Sequence, residues 1–99
     1  MVDLTEIYLG PVVYDETKGI NDADYTLRRT LVNPKYVIMM RPAVDLQEKA
    51  KNKNKSLVDG LSIDTSYTQV WIHCPSQVSA LCINVVGDAG YICEKLIKE

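Results

Sequence analysis

The sequence has no phenylalanine, one histidine and three cysteines among its 99 residues. Six tyrosines, one tryptophan and the aliphatic side chains must therefore fill the interior. No apolar run approaches the roughly 18–20 residues that span a bilayer, and the first ten residues lack the basic start and apolar run of a secretory signal. We therefore expect a cytoplasmic protein without membrane contact. The length of the chain predicts a single domain over residues 1–99.

The histidine and the cysteines match no metal or catalytic motif. His73 and Cys74 are adjacent on a predicted strand, so their side chains point to opposite faces and do not share an ion. The short paired spacing of structural zinc ligands is absent. Cys82 is the only cysteine that strand alternation places on the side of His73, and neither a glycine elbow nor an orienting carboxylate accompanies this pair. We expect no metal, no cofactor and no enzymatic activity, with the cysteines as small buried side chains.

The last third of the chain is a complete packing unit. Residues 67–74 and 80–86 alternate as two strands of a hairpin. Asp88 follows as a helix N-cap, and it opens a helix over 88–99. The apolar residues of this helix recur at helical spacing and predict a core-facing stripe: Ala89, Ile92, Cys93, Leu96 and Ile97.

The first two thirds of the chain predict further strands and one short helix. Residues 15–24 are polar and indicate a loop. Residues 44–51 indicate a short helix, residues around 49–56 a mobile, exposed, lysine-rich loop, and residues 57–63 a short edge segment. The expected class is α+β: a small, mainly antiparallel sheet or partly open barrel of five or six strands with a C-terminal amphipathic helix. The remaining predicted strands lie at 2–9, 12–14, 25–32 and 36–40.

Charge is unevenly distributed along the chain, although the net charge is only −2. Residues 1–24 carry six acids and one lysine, whereas residues 25–55 carry eight basic residues and two acids. We expect the two segments to neutralise each other within the fold. The alternative is a nucleic-acid-binding barrel with Tyr25, Tyr36 or Trp71 as stacking platforms. Its basic face would comprise Arg28, Arg29, Arg41, Lys49, Lys51, Lys53 and Lys55.

A series of short motifs runs along most of the chain: Leu4-Thr5, Gly10, Leu31-Val32-Asn33-Pro34, Val37, Thr68-Gln69-Val70, Val85 and residues 92–97. Their order resembles the FlbD-like family of small β-rich bacterial and phage accessory proteins, with insertions at 11–26 and 41–66. The resemblance implies a compact accessory protein without enzymatic activity. It assigns no active residue.

The sequence predicts an interaction or assembly module of unknown biological process. Tyrosine, tryptophan and methionine, which are enriched at protein interfaces, are abundant for so small a chain. The expected partner is the chain itself, in a homo-oligomer, or another protein; nucleic acid is the alternative partner. The predicted interface residues are Tyr36, Met39, Met40 and Trp71.

Overall fold

A curved antiparallel sheet with one α-helix on each face organises the chain. The computed structural model describes residues 1–10, 13–15, 20–22, 24–54, 56–58, 60–76 and 79–98. The elements within these ranges are, in chain order, β1 (Val2–Leu9), β2 (Val13–Asp15), β3 (Ile20–Asp22), β4 (Tyr25–Val32), a 3-10 turn (Pro34–Tyr36), β5 (Val37–Pro42), α1 (Val44–Lys53), β6 (Tyr67–Ile72), β7 (Leu81–Val86) and α2 (Ala89–Ile97).

Five strands pair in the order β4–β1–β7–β6–β5, and every neighbouring pair is antiparallel. The sheet is open, with β4 and β5 at its two edges. With the C-terminal helix, this arrangement confirms the predicted α+β class. The loop predicted over 15–24 is wrong in part, because Ile20–Asp22 pairs with Val13–Asp15 as a separate ribbon. Val12, at the start of a predicted strand, lies outside the described residues.

The sheet curves so that its two edge strands approach each other. Only residues 33–36 link β4 to β5, and Pro34–Tyr36 form a 3-10 turn, which rises only about 2 Å per residue. The link is therefore too short to span the four strand spacings of a flat sheet, about 19 Å. Val32 at the end of β4 and Val37 at the start of β5 pack into the same apolar cluster. The face that carries Val32, Val37 and Val85 is therefore the inside of the curve, and we refer to it as the concave face.

Helix α2 covers part of the concave face. Asp88 caps the helix by accepting a hydrogen bond of 2.8 Å from the Tyr91 backbone N–H, as predicted. Ile92 is buried in the cluster and Leu96 packs against it. Ile97, predicted to be in the core-facing stripe, is 76% exposed because it lies at the last residue of the helix, past the cluster.

Helix α1, together with residues 56–58 and 60–61, covers part of the opposite, convex face. Leu46 packs there with Ile7 and Tyr67. The helix is longer than predicted, because it continues from residue 51 to Lys53 and so includes the first part of the predicted loop. Asn54 ends the helix in the left-handed conformation at a φ of 52°. After the helix, Leu57, Val58 and Leu61 dock against the same cluster as expected, and the described residues of this segment form no strand.

Candidate functional site

A buried carboxylate lies on the concave face. Glu6 is 6% exposed, and its carboxylate accepts hydrogen bonds from Arg28 Nε at 3.1 Å and Arg28 Nη2 at 3.0 Å. Thr30 Oγ1 donates a third bond, of 2.9 Å, to Oε1 of the same carboxylate. The strand register explains the contact, because Glu6 and Arg28 are direct partners across β1 and β4. Burial of an unpaired carboxylate is costly, so these three donors are what allow Glu6 to occupy this position.

Arg28 is held in place by two neighbours. Its guanidinium lies over the ring of Tyr8, with its carbon 4.2 Å from the ring centroid, while Glu6 binds its edge. The hydrogen bond with Glu6 raises the pKa of Arg28, a side chain that is already charged at neutral pH. The sequence predicts Arg28 as one of the basic residues that are neutralised within the fold and, in the alternative, as a nucleic-acid contact. The sequence does indicate that Glu6 is buried, because Glu6 is in phase with Val2 and Leu4 on an alternating strand.

An apolar stripe crosses the uncovered end of the convex face. Met39 pairs with Trp71, and Trp71 pairs with Cys82, so these three side chains stand in one row across β5, β6 and β7. Arg41 lies over the indole of Trp71 at 4.9 Å, and its Nη2 donates to Met39 Sδ at 3.7 Å. Met39 is 40% exposed, Trp71 half-buried and Cys82 exposed. We call Met39, Trp71 and Cys82 the convex stripe.

The structure brings together two of the four predicted interface residues. Met39 and Trp71 are neighbours in the convex stripe. Met40 points to the other side of β5 and packs against the apolar cluster of the concave face, which includes Val32 and Ile92. Tyr36 lies in the 3-10 turn before β5, is 43% exposed, and accepts the His73 backbone N–H through its carbonyl oxygen at 2.7 Å.

The predicted basic residues do not form one face. Arg28 and Arg29 are adjacent on β4 and so point to opposite sides; they pair with Glu6 and Asp3 respectively. These two ion pairs confirm that the acidic first segment neutralises part of the basic second one. Lys49 donates a hydrogen bond of 2.9 Å to the Tyr25 hydroxyl, which raises the pKa of the lysine. Of the remaining predicted basic residues, Arg41 lies over Trp71, and Lys51 and Lys53 are exposed on α1. Lys55 lies outside the described residues.

Among the described residues, no side-chain hydrogen bond joins His73 to any of the three free cysteines. Cys82 is exposed rather than buried, which corrects the sequence expectation, because α1 covers the other end of its face. Partial burial raises the pKa of the Cys82 thiol, and Arg41 offsets part of that rise. A raised thiol pKa disfavours the nucleophilic thiolate. His73 is exposed and lies beyond the end of β6, which is shorter than predicted.

Comparison with known proteins returned no match to any family model, curated protein or solved structure. Among the described residues, no helix has the length and apolar character needed to cross a membrane. The same residues contain no group of three or more His, Cys, Asp or Glu side chains placed to hold a metal ion.

Proposed function

We propose that this protein is a non-enzymatic assembly module that forms a homodimer through the convex stripe. The observation that carries the proposal is the row of Met39, Trp71 and Cys82, left uncovered beside Arg41. Tryptophan, methionine and arginine are the side chains enriched in interface cores, and tryptophan and arginine dominate measured hot spots. Exposure of this apolar row to water does not stabilise the folded chain, whereas its burial against a partner is favourable.

The edge strand beside the stripe favours a second copy of the chain as the partner. β5 is the last strand of the sheet on this side, and Ile38 on it is 58% exposed. A two-fold axis beside β5 would place each stripe against its own copy, which is the usual symmetry of a homodimer. The register shift between Val37 and Met39, together with Pro42, shortens the edge available for strand pairing. Side-chain contacts would therefore carry the interface, and the sheet would not extend into a polymer.

Two further expectations belong to this proposal. The resemblance to the FlbD-like accessory proteins implies a non-enzymatic role of the same kind. A cytoplasmic location suits the three free cysteines, Cys74, Cys82 and Cys93, because reduced thiols are the rule in that compartment.

Sedimentation velocity over a protein concentration series tests the proposal. We expect the native chain to form a dimer that dissociates on dilution, and Met39→Glu to remain monomeric because a charge is placed in the centre of the interface. Ile97→Glu is the matched control, since Ile97 is also an exposed apolar residue but lies at the end of α2. A native chain that stays monomeric at high micromolar concentration would overturn the proposal, as would equal effects of both variants.

The same experiment with a short mixed-sequence oligonucleotide at low salt tests the alternative partner. Nucleic-acid binding through phosphate contacts weakens steeply as salt rises. The dispersal of Arg28, Arg29 and Arg41 over different faces and partners disfavours this alternative. Salt-sensitive co-sedimentation of the oligonucleotide would make the exposed lysines Lys51 and Lys53 the next residues to vary.

A further inference from the structure

We propose that the concave face binds a small molecule that carries a carboxylate on an apolar body. A cleft of about 790 Å³ opens there between β4 and the β6–β7 hairpin. Its volume lies within the range of roughly 300–1,000 Å³ that is usual for small-molecule sites. Such sites combine apolar walls with a few fixed polar groups, and this cleft has both. Its apolar lining includes Val32, Tyr36, Ile72, Leu81 and Ile83.

Arg28 supplies the group that would recognise the carboxylate. A guanidinium has five N–H donors arranged as a rigid fork, and Glu6 engages only Nε and Nη2. The outer edge, between Nη1 and Nη2, has no hydrogen-bond acceptor among the described residues. The Arg28 side chain is 55% exposed although its carboxylate partner is only 7% exposed. This edge matches a second carboxylate in the two-bond geometry that arginine prefers.

The surroundings of Arg28 position it in advance of binding. Glu6 holds one edge of the guanidinium, and the Tyr8 ring supports its plane. An arginine fixed in this way loses little side-chain entropy when a ligand binds. Glu6, Tyr8 and Thr30 are thus positioning residues, since the Glu6 carboxylate is already occupied by Arg28 and Thr30.

The charges around the cleft favour an anionic head group over a cationic one. Three charged residues border it among the described residues; Arg28 and Glu6 point to the concave face, whereas Arg29 points to the opposite face and pairs with Asp3. The Glu6 carboxylate is buried behind the guanidinium that binds it, so the charge presented to the cleft is positive. Arg28 and Glu6 point to the face opposite Met39 and Trp71, and of the convex stripe only Cys82 borders the cleft. The inference does not depend on the proposed dimer.

Titration with three eight-carbon probes, followed by amide NMR shifts, tests the proposal. We expect octanoate to shift the amides of Thr30, Leu81 and Ile83 in a saturable manner, and octanol and octylammonium to bind at least tenfold more weakly. Arg28→Lys keeps the charge but removes the fork, and we expect it to weaken octanoate binding at least tenfold. Arg41→Lys is the matched control on the convex face, and its affinity for octanoate should equal that of the native chain.

Three results would overturn the proposal. One is octanoate that leaves the amides of the concave face unmoved, and another is octylammonium that binds as well as octanoate. The third is an Arg28→Lys variant with native affinity. The comparison of head groups uses the native chain alone, so it decides the question even if Arg28→Lys fails to fold.

Discussion

Two arginines lie over aromatic rings on opposite faces of one sheet, and their other neighbours differ. On the concave face, Arg28 lies 4.2 Å from the centre of the Tyr8 ring and binds the buried carboxylate of Glu6. On the convex face, Arg41 lies 4.9 Å from the centre of the Trp71 ring and contacts the sulfur of Met39. Because its partner is a buried carboxylate, Arg28 contributes to the stability of the fold. The partner of Arg41 is an exposed methionine, so Arg41 and Met39 remain on the surface, where another protein can cover them.

Removal of the buried carboxylate is expected to have the largest effect on stability. Glu6→Ala leaves the Thr30 hydroxyl and the Arg28 guanidinium without their acceptor. We expect the free energy of unfolding to fall by about 1–3 kcal/mol, the usual cost of breaking a buried polar contact. Arg41→Ala removes the corresponding surface arginine and should change stability by less than about 0.5 kcal/mol. Urea unfolding of the two variants measures this contrast, and equal losses would show that the two arginine sites are energetically alike.

Removal of one donor to Glu6 is expected to have a smaller effect. Thr30→Val keeps the shape and the β-branching of the side chain but removes the hydroxyl that donates to the carboxylate at 2.9 Å. We expect a loss of about 1 kcal/mol, typical of one hydrogen bond. Thr30→Ser retains the hydroxyl and is the control. Equal stabilities of the valine variant and the native chain, by thermal and urea unfolding, would show that Arg28 alone satisfies Glu6.

A third prediction contrasts the buried hydroxyl under α1 with the carboxylate on the concave face. The Tyr67 hydroxyl is buried and has no hydrogen-bond partner in the described part of the chain. Replacement by Phe removes this unsatisfied group, so we expect stability to rise by about 0.5–1 kcal/mol. A drop in the midpoint of urea unfolding at pH 7 would instead reveal a partner for the hydroxyl.

The same tyrosine predicts a loss of stability in alkali. Burial raises the pKa of Tyr67 above its ordinary value, which is about 10 in an unfolded chain. Above that pH the unfolded state releases a proton that the folded state retains, so the free energy of unfolding falls as the pH rises. The contribution of the protonated Tyr67 hydroxyl to the free energy of unfolding is therefore fully present below pH ~10 and is lost above it. Unfolding measured from pH 8 to 11 should show a steeper decline for the native chain than for Tyr67→Phe, and parallel curves would contradict this assignment.

The sequence predicts the main elements of the fold better than it predicts which side chains on the two faces are buried and what they contact. Alternation and the Asp88 cap identified the strands of the sheet and α2, because these signals are local. Burial of Glu6 depends on an arginine that lies 22 residues further along the chain, so no local pattern reveals the partner. Cys82 alternates as a core residue does, but its exposure depends on where α1 docks.

The candidate site was predicted only in part for the same reason. Composition indicated Met39 and Trp71 as interface residues, and their strand register places them side by side. Composition does not indicate which side of β5 a residue faces, and Met40 accordingly packs inside. A count of basic residues likewise does not show that Arg28 and Arg29 face opposite sides of β4 and bind different acids.

The rate of Cys82 thiol modification at increasing protein concentration tests most directly whether the convex stripe is an interface. The measurement uses the Cys74→Ser/Cys93→Ser background, in which Cys82 is the remaining cysteine, at pH 8 with a small alkylating reagent. Met39→Glu in the same background is the control and should react at one rate throughout. We predict that the Cys82 rate falls as the protein concentration rises, in step with dimer formation. A rate independent of concentration, in a chain that nevertheless dimerises, would show that the copies associate through another surface.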